Sequence, residues 1–331
     1  MKPKLFSIVF TALVAVVISA HASEKVAASS GIESSTVIKI NDISISEAEF
    51  ENIFRAAVKH KYYHGRVPEK ELQAFKKQVA SDLVSQILVH SKATSSGLEP
   101  DRAEIKEAVD AYDSKYADSP EWQSQREKVL PLMVERLERE NLIKKMESRV
   151  KEIAQPDEDQ VREYYLDNTD KFTEPKRVWV SLILLSVPPS GNAALWDEAS
   201  KTAEQIITRY ENGEEFTELV KVFSNHASAA NEGDLGYLHQ GMLDTDAQKA
   251  VESLTINQIS EPVRILEGIA LFRLNGIRES SLKSFDEVKK RATSLLYREL
   301  QDNAWREYVN ALKESADIFV DKKLTVLTSH E

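Results

Sequence analysis

Apolar residues in the first half of the chain recur at spacings of three and four. Leu72, Phe75, Val79, Leu83 and Ile87 share one face of a helix that opens at Pro68 and stops at Gly97. Pro100-Asp101 opens a second helix carrying Ile105, Val109, Tyr112 and Tyr116. After Ser119-Pro120 a long stretch with Trp122, Val129, Leu137, Leu142, Met146 and Val150 predicts a further helix, kinked at Pro131. Ahead of these, Thr36 to Ile40 alternates as a short strand and Asn41-Asp42 turns the chain. Ser46, followed by Glu47, Glu49 and apolar Phe50, marks a capped helix start.

Near Pro156 the texture changes. Only Gly31, Gly65 and Gly97 precede it, and the remaining glycines fall between Gly191 and Gly276. Asp157 to Asp167 predicts a short helix with Tyr164 and Tyr165. Val178 to Val187 is an apolar run that reads as a buried strand, stopped by Pro188-Pro189. Leu195 to Tyr210 and Phe216 to Phe223 read as helices, and Gly233-Asp234-Leu235-Gly236 with Gly241 as a glycine-punctuated loop. Asp246 to Leu254 is helical, and strands follow at Ile259 to Ile265 and Ile269 to Leu274. Phe285 to Leu312 returns to a long helix and Ile318 to Val320 to a strand. The expectation is an α+β chain: a helical domain interrupted by a β-rich insert. Its last helix packs back on the first half, and Ile318-Phe319-Val320 pairs near Val37-Ile38-Lys39.

Composition narrows the function. At 331 residues and 42% hydrophobic the chain is too long for one compact core, so two domains are expected. A net charge of −11 argues against a nucleic-acid partner, which needs clustered Lys and Arg. The absence of cysteine excludes disulfides, thiolate metal sites and a cysteine nucleophile. Lys2 and Lys4, the apolar stretch Leu5 to Ile18 and Ala20-His21-Ala22 form the pattern of a secretory signal peptide cleaved after Ala22. Residues 23–35 read as a disordered lead-in, and no later segment is apolar enough for stable membrane insertion.

Several segments of the second half occur in a telling order: Phe216-Thr217-Glu218-Leu219, Phe223-Ser224, Gly233-Asp234-Leu235-Gly236, Gly241, Ile259-Ser260-Glu261-Pro262-Val263 and Glu267-Gly268. Over residues 158–277 the chain resembles the parvulin (PpiC-type) family of peptidyl-prolyl isomerases. More diffusely, Asn41 to Ser46, the helix over Leu72 to Leu88, and Tyr164-Tyr165 with Asn168 and Phe172 are similar to SurA-like and PrsA-like foldases. The resemblance implies a helical chaperone domain over 36–155, completed by a returning helix and strand at 280–320. Into it is inserted a parvulin-like antiparallel sheet flanked by helices.

Turning an X–Pro bond means crossing a barrier of about 18–20 kcal/mol set by amide resonance, and no covalent step is needed. In parvulins the resemblance implies two histidines with a cysteine or aspartate between them, beside an apolar cup of Met or Leu and Phe. Here the first histidine position is Leu182, in Ser181-Leu182-Ile183-Leu184, and the second is Ala270, in Gly268-Ile269-Ala270. The cysteine or aspartate position falls on or beside His226, preceded by Asn225. Leu243 keeps the aliphatic wall, and Ala247 stands where the cup has Phe. No catalytic residue is therefore assigned. The substrate pocket is expected at Leu182, Asn225, His226, Leu243, Ala247 and Ala270, and Leu182, Ile183, Leu243 and Ala270 should line a dry or shallow cleft with His226 at its edge. The alternative is a different network rebuilt by His226 and His239.

Other constellations are weaker. His60 and His64 have the spacing of a zinc pair, but no third ligand is evident, and a solvated helix face explains them. The acidic run from Gln155 to Asp159 reads as a helix N-terminus, and Tyr62-Tyr63 as a client-binding rim or simple packing. No cofactor or metal is expected. The leading function is a periplasmic folding factor for unfolded or partly folded secreted or outer-membrane polypeptides, with a parvulin domain that is weak or inactive. The alternatives are a working prolyl isomerase and a dedicated accessory of an export machinery.

Overall fold

The computed structural model describes residues 35–62 and 67–325. The leader, the lead-in up to residue 34, Tyr63 and His64 lie outside the described residues. The chain divides into two compact units: residues up to Gln155 together with those from Tyr297 onward, and Pro156–Leu296.

The first unit opens with a hairpin of β1 (Thr36–Ile40) and β2 (Ile43–Ser46), in which Ile40 faces Ile43 and Ile38 faces Ile45. Asn41 turns the chain at φ 50°, a left-handed conformation that its short polar side chain tolerates. Ser46 then caps α1 (Glu47–Lys61). Its hydroxyl accepts the Glu49 N–H, and the Glu49 carboxylate accepts the Ser46 N–H at 2.8 Å. Helix α2 (Glu69–Ser95) buries Phe75, Val79, Leu83, Val84 and Ile87 in one core with Ile38, Ile40, Phe50 and Ile53. Helices α3 (Arg102–Lys115) and α4 (Pro120–Val150) follow, and α4 runs through Pro131 as one element. They are tied together at Asp113, whose carboxylate accepts the Trp122 indole N–H at 2.8 Å and the Arg126 guanidinium.

The second unit begins with α5 (Glu158–Asp167), which leads to β3 (Thr173–Glu174) and the long β4 (Arg177–Ser186). Then come α6 (Ala193–Glu211), α7 (Phe216–Phe223), β5 (Asp234–His239), α8 (Thr245–Glu252), β6 (Val263–Ile265), β7 (Gly268–Arg278) and β8 (Ser281–Leu282). The main sheet is antiparallel in the order β5-β4-β7-β6, and β3 pairs with β8. Ile183 and Leu185 of β4 pack with Ala203, Ile206, Phe216 and Leu219 of α6 and α7 on one face. Val180, Leu182 and Leu184 pack with Ala247 and Val251 of α8 on the other. A smaller core joins Tyr164, Tyr165 and Phe172 to Phe285 and Val288.

Helix α9 (Phe285–Glu314) gives its first turns to the second unit and its residues from Tyr297 onward to the first. Beyond it, β9 (Ile318–Val320) pairs antiparallel with β1, Ile38 facing Val320 and Ile40 facing Ile318, and α10 (Lys322–Thr325) sets Leu324 in the core. This is the pairing expected from the sequence.

Three expectations change. The glycine-punctuated loop after Gly233 is a strand, β5, with a register shift between Trp179 and Ser181 that absorbs its extra residues. The strand expected over Ile259–Ile265 is ordered only at Val263–Ile265, with Ile259 in an isolated bridge to Arg273. Pro262 lacks the N–H that would continue the ladder. The turn at Asn41-Asp42 is followed by β2 before the helix begins.

Candidate functional site

The positions singled out in the second unit lie around the middle of β4 and β7. Leu182, Ala247 and Ala270 are buried in one apolar cluster with Val180, Leu184, Val251, Val263 and Phe272. Leu243 is partly buried against it. Ala270 is fully enclosed and Leu182 is 5% exposed, so the location of the implied histidine pair is packed interior. Each buried aliphatic side chain there is worth about 1.5–3 kcal/mol, which favours closure over an aqueous cleft.

The remaining residues are placed differently. Ile183 points to the opposite face of the sheet, into the core with Phe216 and Leu219, and does not line this cluster. Successive residues of a strand face opposite ways, and the apolar run hid that alternation because both faces are covered. Asn225 is spent on the edge of β4. Its N–H donates to the Leu184 carbonyl at 2.8 Å and its Oδ1 accepts the Ser186 N–H at 3.1 Å. Its Oδ1 is therefore committed to that strand edge.

His226 precedes a short 3-10 helix, Ala227–Asn231, and caps it: Nδ1 accepts the Ser228 N–H at 3.1 Å and lies 2.8 Å from the Ser228 hydroxyl. His239 is exposed at the end of β5, with Nδ1 2.9 Å from the Gln240 carbonyl. It lies on the face of the sheet opposite the apolar cluster, because its neighbour Leu238 packs there. Among the described residues no hydrogen bond joins His226 to His239; Nδ1 of each ring is engaged locally, with Ser228 and with the Gln240 carbonyl.

The buried polar groups of the unit are likewise satisfied. The Ser181 hydroxyl accepts from Asn275 Nδ2 at 2.8 Å, and the Ser260 hydroxyl accepts the Phe272 N–H at 3.0 Å. Of the carboxylates held below their usual range, Glu158, Glu174 and Glu214 owe this first to hydrogen bonds from Lys289, Lys283 and Arg209, and Glu287 to the Ser284 hydroxyl, all at the surface. What the framework keeps is its glycines. Gly233 has φ +77°, and a Cβ there would stand 2.6 Å from the Leu182 carbonyl oxygen; at Gly268, φ +147°, it would stand 2.0 Å from that of Leu185. These glycines let the strand crossings at Leu182 and Leu185 approach closely, and Leu182 and Ala270 bring no polar group to the cluster.

In the first unit, His60 sits exposed in the last turn of α1, and its companion His64 lies outside the described residues. Among the described residues no group of three or more His, Cys, Asp or Glu is placed to hold a metal ion. Nor is any helix among them long and apolar enough to cross a membrane. Two clefts, of about 790 and 360 Å³, run beside α4; Arg149 lines both, with Tyr297 and Gln301 on the first and Tyr308 on the second.

Comparison with known proteins bears on both halves. Residues 156–290 match the family described as the PPIC-type PPIASE domain, and residues 2–129 match the SurA-like N-terminal domain. The Foldase protein PrsA of Caldanaerobacter subterraneus subsp. tengcongensis is 26% identical over 301 residues, covering 87% of this chain and 87% of that protein. The Chaperone SurA of Chromobacterium violaceum is 32% identical over 127 residues, covering 38% of this chain and 29% of that one. A solved SurA-like chaperone of Campylobacter jejuni is 19% identical, with a TM-score of 0.41 over 86% of this chain and 98% of its own.

Proposed function

We propose, on the premise that the chain is a parvulin-type member of the SurA/PrsA-like foldases, that it is a periplasmic folding factor whose isomerase site no longer turns over prolyl bonds. The observation that carries this reading is the buried apolar cluster at Leu182, Ala247 and Ala270. With Leu and Ala at the histidine positions, His226 committed to a cap and Asn225 to a strand edge, no polar network converges on a twisted amide. Leu182, Leu243, Ala247 and Ala270 are then the remains of the pocket, converted to core.

Function passes to the helical first unit, residues 36–155 with the chain from Tyr297 onward, which needs only to hold extended or partly folded polypeptides. The domain at 158–277 acts as a second binding body. The leader-like pattern at residues 1–22 supports export, and secreted or outer-membrane polypeptides are the clients. Nucleic acid, metals and cofactors have no part in the reading.

The test is suppression of aggregation of an unfolded client by residues 23–331, beside a protease-coupled assay on an Xaa-Pro peptide. Suppression at equimolar protein, with isomerisation at the uncatalysed rate of tens to hundreds of seconds, is the expected pair of results. No suppression overturns the folding-factor reading. A fast isomerase rate would establish the alternative, that the glycine framework around Gly233 and Gly268 supports catalysis.

A further inference from the structure

On the α6/α7 face of the main sheet, the end of β4 extends past the residues that those helices bury. Arg177 and Trp179 project there, two residues apart on one strand and on the same face as Ile183. Across the sheet, Trp179 stands beside Tyr237 of β5 and Gly276 of β7, and Arg177 stands between His239 of β5 and Arg278 of β7. The face therefore carries two rows: one basic, Arg278–Arg177–His239, and one aromatic, Trp179–Tyr237, beside the gap left by Gly276.

Both aromatics are open to solvent, Trp179 at 38% and Tyr237 at 41%, and both are held in place. The Trp179 indole N–H donates to Asp234 at 2.6 Å, the rings lie 6.0 Å apart, and the Arg278 guanidinium sits 4.6 Å over Tyr237. The basic row is costly by itself, because like charges directly opposite on neighbouring strands repel. Among the described residues neither Arg177 nor Arg278 has a carboxylate in ion-pair contact. Glu174, on which both arginines act, is held by Lys283 at 3.0 Å. In a chain of net charge −11, two arginines in register beside an open aromatic pair stand against the prevailing charge.

We propose that this face binds extended polypeptide segments with an acidic residue at one position and an aromatic or large aliphatic residue two positions on. The rows are two residues apart along the strands, about 6.6 Å, which is also the separation of same-side residues in an extended peptide. A segment lying along β4 sets its carboxylate over Arg177 and Arg278 and its apolar side chain on Trp179 and Tyr237. The surface is the reverse side of the sheet from the buried Leu182–Ala270 cluster, so it works independently of prolyl chemistry. The inference rests on reading the chain as a folding factor and names a class of client segment for it.

The experiment is fluorescence anisotropy of a labelled nonapeptide with Asp at one position and Phe two positions on, titrated with the full chain. Two control peptides replace Asp by Asn, or place Asp and Phe adjacent. The spaced acidic peptide should bind at least tenfold more tightly than either control and weaken with added salt. The Arg177→Gln/Arg278→Gln variant should lose that preference while its Tm stays equal or rises, since cross-strand repulsion is removed. Equal binding of the three peptides, a preference that survives in the double variant, or tighter binding of a heparin oligosaccharide to the same face would overturn the proposal. Loss of aggregation suppression toward uncharged clients by the unmodified chain would instead sink the folding-factor reading.

Discussion

Ala270 stands directly across from Leu184, and Leu182 faces Phe272, so the two positions where the family carries histidines are diagonal neighbours on one buried face. Placing histidine at both would put two imidazoles among Val180, Leu184, Ala247 and Phe272, where no polar side chain is prepared to receive them. An unpaired buried polar group costs about 1–3 kcal/mol, and enlarging fully enclosed Ala270 adds an overpacking cost of about 1–3 kcal/mol. The Leu182→His/Ala270→His protein should unfold at a clearly lower urea concentration than the wild type and show no gain in the protease-coupled isomerase assay. Leu182→His alone gives a milder loss of stability and likewise no activity. A double variant as stable as the parent and fast on an Xaa-Pro peptide would contradict the closed pocket.

Much of this arrangement is legible in the residues, and the parts that are not have physical causes. The helix over Leu72–Ile87 announces itself by its period and by Pro68 and Gly97 at its ends, and β9 by its apolar triplet. Strand β5 is hidden because Gly233, Gly236 and Gly241 signal turns, whereas Gly236 sits in the register shift that lets the strand bend against β4. The face assignment of Ile183 is invisible in a run where nearly every residue is buried. Asn225 and His226 fail for another reason: a residue type at a site position does not reveal whether its polar atoms are already spent on backbone.

The glycines of β5 and the turn before it should separate by what a methyl group would meet. Gly233→Ala places a Cβ against the Leu182 carbonyl oxygen and the Val220 side chain at positive φ. Gly236→Ala carries the same conformational strain with nothing within 4 Å. Strain alone costs roughly 1–2 kcal/mol; the clash at Gly233 forces the β4 crossing to shift and should at least double that. Chemical denaturation of the two variants measures the difference, and equal losses would show that the crossing at Leu182 is not tight.

The reciprocal cap at the start of α1 offers a local test in the first unit. Ser46→Ala removes the acceptor for the Glu49 N–H and the hydroxyl that donates to the Glu49 carboxylate at 2.7 Å. Losing such a cap costs about 0.5–2 kcal/mol. Glu49→Gln keeps an acceptor for the Ser46 N–H and should cost less. Thermal unfolding should rank the wild type above Glu49→Gln and that above Ser46→Ala; a reversal would mean that the carboxylate charge at the helix N-terminus outweighs the hydroxyl.

Asp82 on α2 predicts how the first unit responds to pH. Burial pushes its carboxyl up from the ordinary 3.8 to about 6, against the opposing pull of Lys313, Gln78 and Lys61. Lys313 is shared with the Ser81 hydroxyl at 3.3 Å, and Lys61 lies 4.1 Å over the Phe75 ring, so neither cation is devoted to Asp82. Between pH 3.8 and about 6 the folded chain holds a proton that the unfolded chain has released. Stability from this group is therefore complete below pH 3.8 and is lost as pH rises through about 6. The side chain is partly solvated, so after screening the effect is on the order of 1 kcal/mol. Asp82→Asn cannot titrate, and subtracting its unfolding free energy from that of the wild type cancels every other ionisation. The variant should gain on the wild type by about that amount between pH 4 and pH 7.5, most steeply about midway between 3.8 and 6. A difference that stays flat across the range, or that shrinks as pH rises, would show that Asp82 is ionised in the folded protein throughout.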